Sequence, residues 1–309
     1  MTTHFRANGK LLLTGEYFVL DGTPGLAVPT RPGQTLTVEP RPGNDRRFSW
    51  LALDERGEQW FSAVFDRETW LGARPQVRSE DTKARISQLL FAAEEISPGC
   101  TECLVGKNLT TELEFNRKWG LGSSSTLVAN LARLLEVNPY ALLEKTFGGS
   151  GYDLACALAE GPILYERNGA EPRVTTLDWR PEWINNTVFV YRNQKQNSRA
   201  GIRRYREQTV PDAARREIAE LSLVLINETS HLRAAARILR RHEAIVSEVI
   251  GLPTVQEELF ADFPGQLKSL GAWGGDFIWA LSAESPEKTT AYFNDRGYPT
   301  VIPYNQMVR

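Results

Sequence analysis

The sequence is poor in the residues from which disulfide scaffolds and metal centres are built, with three cysteines and three histidines among 309 residues. An odd number of cysteines argues against a disulfide framework. Cys100 and Cys103 have the spacing of a zinc or redox pair, but no second cysteine or histidine pair follows at a matching distance. We therefore expect free thiols in a reducing compartment.

The chain also has little net charge and no long apolar run. Its formal charge of −2 gives no overall attraction to nucleic acid or to an anionic membrane, so any anion must be bound locally. No apolar run approaches the roughly 18 residues of a membrane span, and Gly15 and Glu16 interrupt the N-terminal apolar stretch too early for a signal peptide. We expect a globular cytoplasmic protein, monomeric or homodimeric, whose partner is a small molecule and neither nucleic acid nor a membrane.

Two common phosphate-binding motifs are absent. A Walker A loop requires Gly-Lys-Ser/Thr, but the Gly-Lys pair at residues 9–10 is followed by Leu11. A dinucleotide fingerprint fails because Gly120–Gly122 is followed by Ser125 where the third glycine belongs. The preceding TTELEF alternates charged and apolar residues, which is typical of a half-exposed antiparallel strand and not of a buried parallel one.

The stretch GLGSSSTLVANL, from Gly120 to Leu131, can bind an anion in another way. A glycine-rich turn lets backbone N–H groups approach an anion, and the positive end of the following helix adds to the attraction. The hydroxyls of the three serines can bind phosphate oxygens or Mg²⁺. Because serine before a helix is also ordinary capping, the stretch alone leaves both interpretations open.

Hydrophobic periodicity predicts the elements around this loop. It predicts a hairpin over Phe48 to Phe65, and helices over Thr82 to Glu95 and Ser125 to Glu136. CTECLVG and TTELEF are expected to form a strand pair just before the glycine loop, and PILYER and RVTTLDW a second pair after it. Asn138 followed by Pro139 predicts the start of a further helix. The order is α+β, with a β-rich first half and a smaller helix-and-strand second half that begins near Trp183.

Four stretches together resemble the motifs of the GHMP kinases, the superfamily of galactokinase, homoserine kinase, mevalonate kinase and phosphomevalonate kinase. In chain order they are ANGKLLLTGEYFVLDG for the first motif, KWGLGSSST for the ATP phosphate loop, GGSGYDLA for the aspartate loop and LKSLGAWGGDFIWAL for the third glycine motif. Their order and spacing match from Ala7 to Leu281. The serine stretch then resembles a phosphate loop that also caps its helix.

This resemblance implies the two-domain GHMP kinase fold, which is α+β. Residues 1–183 would form an N-terminal β/α domain like that of ribosomal protein S5. Residues 184–309 would form a C-terminal ferredoxin-like α/β domain.

The resemblance also implies ATP and Mg²⁺ as cofactors. It gives Asp153 the role of catalytic base, or of orienting the acceptor oxygen, and gives Lys10 the role of screening charge at the transferred phosphoryl group. The residues implied to bind the ATP phosphates are Gly120, Leu121, Gly122, Ser123, Ser124 and Ser125. Mg²⁺ would be held by Ser124 and by Glu144, although a solvated glutamate on a helix explains Glu144 equally well.

The acceptor-binding residues implied by the resemblance come from all parts of the chain: Glu16, Tyr17, Ser150, Gly151, Lys195, Ser198, Arg199, Gly271 and Gly274. GKLLLTGEY, GSGYD and GGD are most similar to phosphomevalonate kinases. We expect transfer of the γ-phosphoryl group to an acidic mevalonate-pathway metabolite, with phosphomevalonate slightly ahead of mevalonate. Diphosphomevalonate decarboxylase and a non-catalytic, ligand-sensing relative are the alternatives.

The third motif departs from the GHMP pattern. Leu270 replaces a usual serine or threonine, and Trp273 replaces a usual glycine. Tryptophan cannot adopt positive φ as cheaply as glycine, so either the loop takes another backbone path or the indole stacks on a base or a side chain. The histidines form no cluster in the sequence and are given no role.

Overall fold

The computed structural model describes residues 1–42, 46–72, 81–169, 171–194, 198–271, 273 and 275–309, with the backbone alone for residues 68, 69, 72, 198 and 199. The strands are β1 Thr3–Leu12, β2 Gly25–Pro40, β3 Phe48–Leu53, β4 Gln59–Phe65, β5 Lys107–Leu113, β6 Ile163–Glu166, β7 Arg173–Thr176, β8 Thr187–Tyr191, β9 Gln266–Leu270, β10 Phe277–Leu281 and β11 Val301–Pro303. The helices are α1 Arg67–Gly72, α2 Thr82–Ile96, α3 Ser123–Leu134, α4 Pro139–Lys145, α5 Tyr152–Leu158, α6 Ser198–Arg206, α7 Asp212–Asn227, α8 Leu232–Ile250, α9 Val255–Leu259, α10 Pro286–Asn294 and α11 Tyr304–Met307. None of the described helices has the length and apolar character needed to cross a membrane.

The chain divides into two compact units whose segments alternate along the sequence. The first unit contains residues 1–9, 32–117 and 121–158, and the second contains residues 10–31, 118–120 and 159–309. Strands β1 and β2 pair with each other, and each contributes residues to both units. The single domain boundary after residue 183 that the sequence suggested stays a prediction.

The sheet of the first unit is built from β4, β3, β5 and the C-terminal part of β2, in that order. β3 and β4 form the predicted antiparallel hairpin, in which Phe48 faces Phe65. β5 lies between β2 and β3, antiparallel to β2 and parallel to β3. One face carries the buried side chains Leu36, Trp50 and Leu109, which pack with the helices in one hydrophobic core.

The helices of the first unit are amphipathic elements with clear start signals. α2 begins at Asp81, whose side chain accepts a hydrogen bond from the Ala84 N–H at 2.8 Å. α4 begins at Asn138, whose side chain accepts from the next two helical N–H groups, and proline follows in the first turn as predicted. α3 packs against α4 and α5, so the two elements that follow the glycine loops share one core.

The second unit has its own antiparallel sheet in the order β11-β8-β10-β9. β8, β9 and β10 are buried along their whole length, although β9 is an edge strand of this sheet. Helices α8 and α9 pack on β9, α10 packs on β8, and α7 packs on α8. In the same unit the first residues of β2 pair with β6, which pairs with β7 as predicted.

Two expectations about local structure are wrong. CTECLVG is not a strand, because Cys100–Leu104 forms a 3₁₀ helix that follows Gly99 at φ 89°. The partners of β5 are therefore β2 and β3, and its contact with β3 is parallel. The alternating pattern of TTELEF correctly indicated a half-buried strand but could not reveal the direction of both neighbours. The overall α+β class is confirmed.

Candidate active site

The serine loop in the first unit turns into α3 at Gly122. Gly122 has φ 92° and is the N-cap of the helix, a conformation that favours glycine. The Ser125 hydroxyl donates to the Gly122 carbonyl oxygen at 2.8 Å, and the Thr126 N–H donates to the same oxygen at 2.9 Å. The expectation that a serine caps this helix is therefore wrong, because glycine occupies the cap.

This geometry leaves the first N–H groups of α3 open to an external acceptor. Within the described part of the chain, no group accepts a hydrogen bond from the N–H of Ser123 or Ser124. Ser124 is exposed and Ser123 is half-buried, whereas Ser125 is 2% exposed and holds the turn. Unpaired N–H groups and the positive end of a 12-residue helix suit a phosphate group. An exposed serine hydroxyl next to them suits Mg²⁺ bound to that phosphate.

The predicted aspartate loop lies in the same unit. Gly148, Gly149 and Gly151 have φ 64°, 104° and 88°, so glycine is required along the loop. Asp153 follows in the first turn of α5 and is half-buried, and Ser150 is buried beside it in sequence. Because α5 packs against α3, the elements that present Asp153 and the serine loop belong to one packed core.

Glu144 lies on the exposed side of α4. In the described residues no group of three His, Cys, Asp or Glu side chains is arranged to hold a metal ion. A magnesium ion here would depend on Ser124 and on phosphate oxygens, and Glu144 stays a predicted ligand.

Glu16 of the second unit is held in a buried ionic cluster. Glu16 is 1% exposed and pairs with Lys268, whose ammonium group lies 3.0 Å from Glu243 Oε1. Burial raises the pKa of Glu16 to about 7, although the positive charge of Lys268 lowers it. Burial alone would lower the pKa of Lys268, but the two neighbouring carboxylates raise it.

His242 completes this cluster on its other side. Its Nε2 accepts a hydrogen bond from the Gly15 N–H at 2.9 Å and lies 3.6 Å from Glu16 Oε2. Burial, with the charge of Lys268, lowers the pKa of His242 well below its usual value. His242 is therefore a neutral acceptor that fixes the backbone of the Gly15 turn.

Tyr17 adopts φ 61° and ψ −44°, a region that L residues rarely occupy. Its hydroxyl accepts a hydrogen bond from the Trp273 N–H at 2.6 Å, and its ring stacks on Tyr205 with centroids 5.6 Å apart. A Cβ at Gly201 would overlap the Tyr17 hydroxyl. The turn carrying Glu16 and Tyr17 is thus held from several sides.

Trp273 of the third glycine motif packs against the hydrophobic core cluster that includes Tyr17, Phe18 and Tyr205. Trp273 is not among the described residues with positive φ, whereas Gly271 and Gly275 have φ 89° and 62°. The Trp273 indole donates to the Pro253 carbonyl oxygen at 2.9 Å. Leu270 is a buried residue of β9 and pairs with Phe277.

The start of the KWGLG segment is anchored within the second unit. Gly120 has φ 66°, and a Cβ there would overlap the Asp276 carboxylate. The Trp119 ring packs edge-on against Phe277 with centroids 5.7 Å apart. Glycine at position 120 allows this close approach to Asp276, and both residues belong to the second unit.

The remaining predicted residues are placed as follows. Lys10 is half-buried near the end of β1, in the second unit. Lys195 and Gly274 lie outside the described residues, as do the side chains of Ser198 and Arg199, whose backbone begins α6.

Sequence reasoning missed the buried cluster of Lys268, Glu243 and His242. A lysine in a five-residue strand buried on both faces requires a buried partner, and Glu16 in the first motif offered the opposite charge. His242 had been given no role, because its partners lie more than 200 residues earlier in the chain.

Neither the family models nor the curated proteins include a match to this sequence. Solved structures do match. A Lin0012 protein from Listeria innocua aligns with TM-score 0.72 and 16% identity, over 98% of this chain and 97% of that one. The mevalonate kinase of Methanococcus jannaschii aligns with TM-score 0.69 and 13% identity, over 96% and 95%.

A third match is Streptococcus pneumoniae phosphomevalonate kinase in complex with phosphomevalonate and AMPPNP. Its TM-score is 0.68 and its identity 16%, over 97% of this chain and 99% of that one. The chain has the GHMP kinase fold. The resemblance drawn from four short motifs is thereby confirmed at the level of the fold, across nearly the whole length of the GHMP kinases compared.

Proposed function

We propose that this protein is an ATP-dependent kinase that transfers a phosphoryl group to an acidic mevalonate-pathway metabolite. Phosphomevalonate is our first choice of acceptor and mevalonate our second. The choice is supported by the similarity of GSGYD and GGD to phosphomevalonate kinases, and by the Streptococcus pneumoniae structure with its two ligands. We place this activity in the cytoplasm.

The observation that carries the proposal is the start of α3. Gly122 is the N-cap, the N–H groups of Ser123 and Ser124 have no acceptor within the described residues, and Ser124 is exposed. A triphosphate would receive hydrogen bonds from these N–H groups and from the serine hydroxyls. Bound Mg²⁺ would neutralise part of the phosphate charge, with Ser124 and Glu144 as its protein ligands.

We assign Asp153 to orient the acceptor oxygen and to take its proton where it has one. Phosphoryl transfer needs positioning and charge stabilisation more than covalent chemistry, so a single carboxylate suffices for this step. If the acceptor is a phosphate, its oxygen is already ionised, and Asp153 then acts by orientation alone. Lys10 is assigned to stabilise the negative charge that gathers on the transferred group.

The test replaces Asp153 and measures single turnover with labelled ATP against mevalonate and phosphomevalonate. Asp153→Asn should abolish transfer while nucleotide affinity, measured by calorimetry with AMPPNP, stays within a few-fold of wild type. Asp178→Asn is a matched control, because its side chain is 84% exposed and pairs only with Arg180 among the described residues. Near-full transfer by Asp153→Asn would refute the assignment of Asp153. Nucleotide binding by the wild type without transfer to either acceptor would favour the non-catalytic alternative.

A further inference from the structure

The Gly15–Tyr17 turn is held by three independent contacts from later parts of the second unit. The Gly15 N–H donates to His242 on α8 at 2.9 Å. Glu16 pairs with Lys268 on β9. The Tyr17 hydroxyl accepts the Trp273 N–H of the third glycine loop at 2.6 Å. One short turn therefore links a helix, a strand and a loop.

Lys268 lies at the centre of these contacts. The Lys268 ammonium group donates hydrogen bonds to a Glu16 carboxylate oxygen and to the Ser269 carbonyl oxygen at 2.8 Å, and it forms an ion pair with Glu243 Oε1 at 3.0 Å. Lys268 is fully buried, and both carboxylates are 1% exposed. Its strand, β9, leads directly into the third glycine loop.

The cluster is a poor source of stability. Removing charged groups from water is energetically costly, and well-packed apolar replacements of a buried ion pair are often equally stable. Moreover, four polar atoms of the cluster are buried without a hydrogen-bond partner within the described residues: Glu16 Oε2, His242 Nδ1, Glu243 Oε1 and Ser269 Oγ. Tyr17 adds backbone strain, because its φ of 61° is rare for a residue other than glycine. Strain and buried charge at one turn point to a role in geometry.

We propose that Lys268 is a positioning residue for Glu16 and Tyr17, which the resemblance places among the acceptor-binding residues: by pairing with Glu16 it holds the Gly15–Tyr17 turn so that the Tyr17 hydroxyl accepts the backbone N–H of Trp273. This inference rests on the proposed function for its kinetic readout, but its structural readout does not. Because the Trp273 N–H donates to the Tyr17 hydroxyl, it is not available as a donor to an anion.

The kinetic test compares Lys268→Met, which removes the charge, with Lys268→Arg, which retains it. Lys268→Met should raise the acceptor KM by roughly 10–100-fold, the cost of a displaced site, while the nucleotide affinity changes less than threefold. Lys268→Arg should recover much of the loss. Lys288→Met is the matched control: this exposed lysine on α10 pairs with Glu284, and its replacement should leave KM unchanged.

A double-mutant cycle with Tyr17→Phe separates positioning from general destabilisation. If Lys268 acts through the Tyr17 hydroxyl, Lys268→Met combined with Tyr17→Phe should be hardly worse than Lys268→Met alone. Additive effects on KM would overturn the proposal. Lys268→Met leaves two buried carboxylates without their cation. If it fails to fold for that reason, the double variant Lys268→Met/Glu16→Gln, in which one of the two carboxylates is removed, takes the place of Lys268→Met in the cycle.

The structural readout uses the Trp273 indole N–H in a ¹⁵N-TROSY spectrum of the unliganded protein, assigned with Trp273→Phe among the eight tryptophans. Lys268→Met and Tyr17→Phe should both shift this cross-peak, whereas Lys288→Met should not. An unmoved cross-peak in Lys268→Met would overturn the positioning role even if the wild type phosphorylates an acceptor. A shifted cross-peak in a protein that phosphorylates neither acceptor would support the positioning role while refuting the proposed function.

Discussion

Replacing Glu16 by glutamine should change how the stability of the protein depends on pH. Burial raises the pKa of Glu16 from 4.5 to about 7, so the folded chain binds this proton more tightly than the unfolded chain. The stability that the proton contributes is complete below about pH 4.5 and is lost as the pH rises through 7. Glutamine at this position cannot titrate.

The size of the effect follows from the two pKa values. They differ by about 2.5, and each unit corresponds to about 1.4 kcal/mol, so the wild type loses about 3 kcal/mol over the full range. The unfolding free energy of Glu16→Gln minus that of wild type should therefore increase by roughly 2–3 kcal/mol as the pH rises from 5 to 8. His242 is buried neutral and has the opposite pH dependence, but it is present in both proteins and cancels in the difference.

Urea unfolding followed by tryptophan fluorescence at pH 5, 6, 7 and 8 measures this difference. Glu220→Gln, at an exposed position on α7, is the control and should differ from wild type by a constant amount across pH 6–8. A difference between Glu16→Gln and wild type that stays flat from pH 5 to 8 would show that Lys268 outweighs burial at Glu16. A difference that falls with pH would refute the reasoning altogether.

Two further predictions concern the serine loop. Ser125→Ala should lower the unfolding free energy by about 1 kcal/mol, because it removes the hydrogen bond to the Gly122 carbonyl oxygen. Ser124→Ala should leave stability unchanged, because this residue is exposed, but should slow phosphoryl transfer. Urea unfolding and a turnover assay on Ser125→Ala and Ser124→Ala measure the two effects. Loss of stability in Ser124→Ala, or slow transfer in Ser125→Ala without loss of stability, would contradict these roles. Gly122→Ala should cost about 1–2 kcal/mol, because alanine must adopt φ 92°. An unchanged urea midpoint would mean that the loop can adopt another path.

The parts of the fold that the sequence predicted well are those set by local chemistry. The β3–β4 hairpin, α2 and α4 follow from turn residues, periodicity and the Asn138 cap. The fold itself followed from four short motifs in register, since no single one of them was specific enough.

The parts that the sequence could not predict depend on contacts between distant residues. The 3₁₀ helix at Cys100–Leu104 has the apolar content of a strand, and the parallel neighbour of β5 is chosen by chain topology. Glu16 and Lys268 are 252 residues apart, so no local pattern links them. Trp273 could be recognised as unusual for its motif, but its acceptor on Tyr17 could not be foreseen.

The alternation of segments between the two units has a consequence for biosynthesis. The first unit has all of its residues once residue 158 has been translated, whereas residues 10–31 need partners from residues 159–309. At roughly 5–20 residues per second, the ribosome needs on the order of 10 s to make that remainder. During this interval Leu26 and Ala27, which are fully buried in the finished protein, lack their β6 partners Leu164 and Ile163. A nascent chain of this design has an early apolar segment that a chaperone can shield until translation ends.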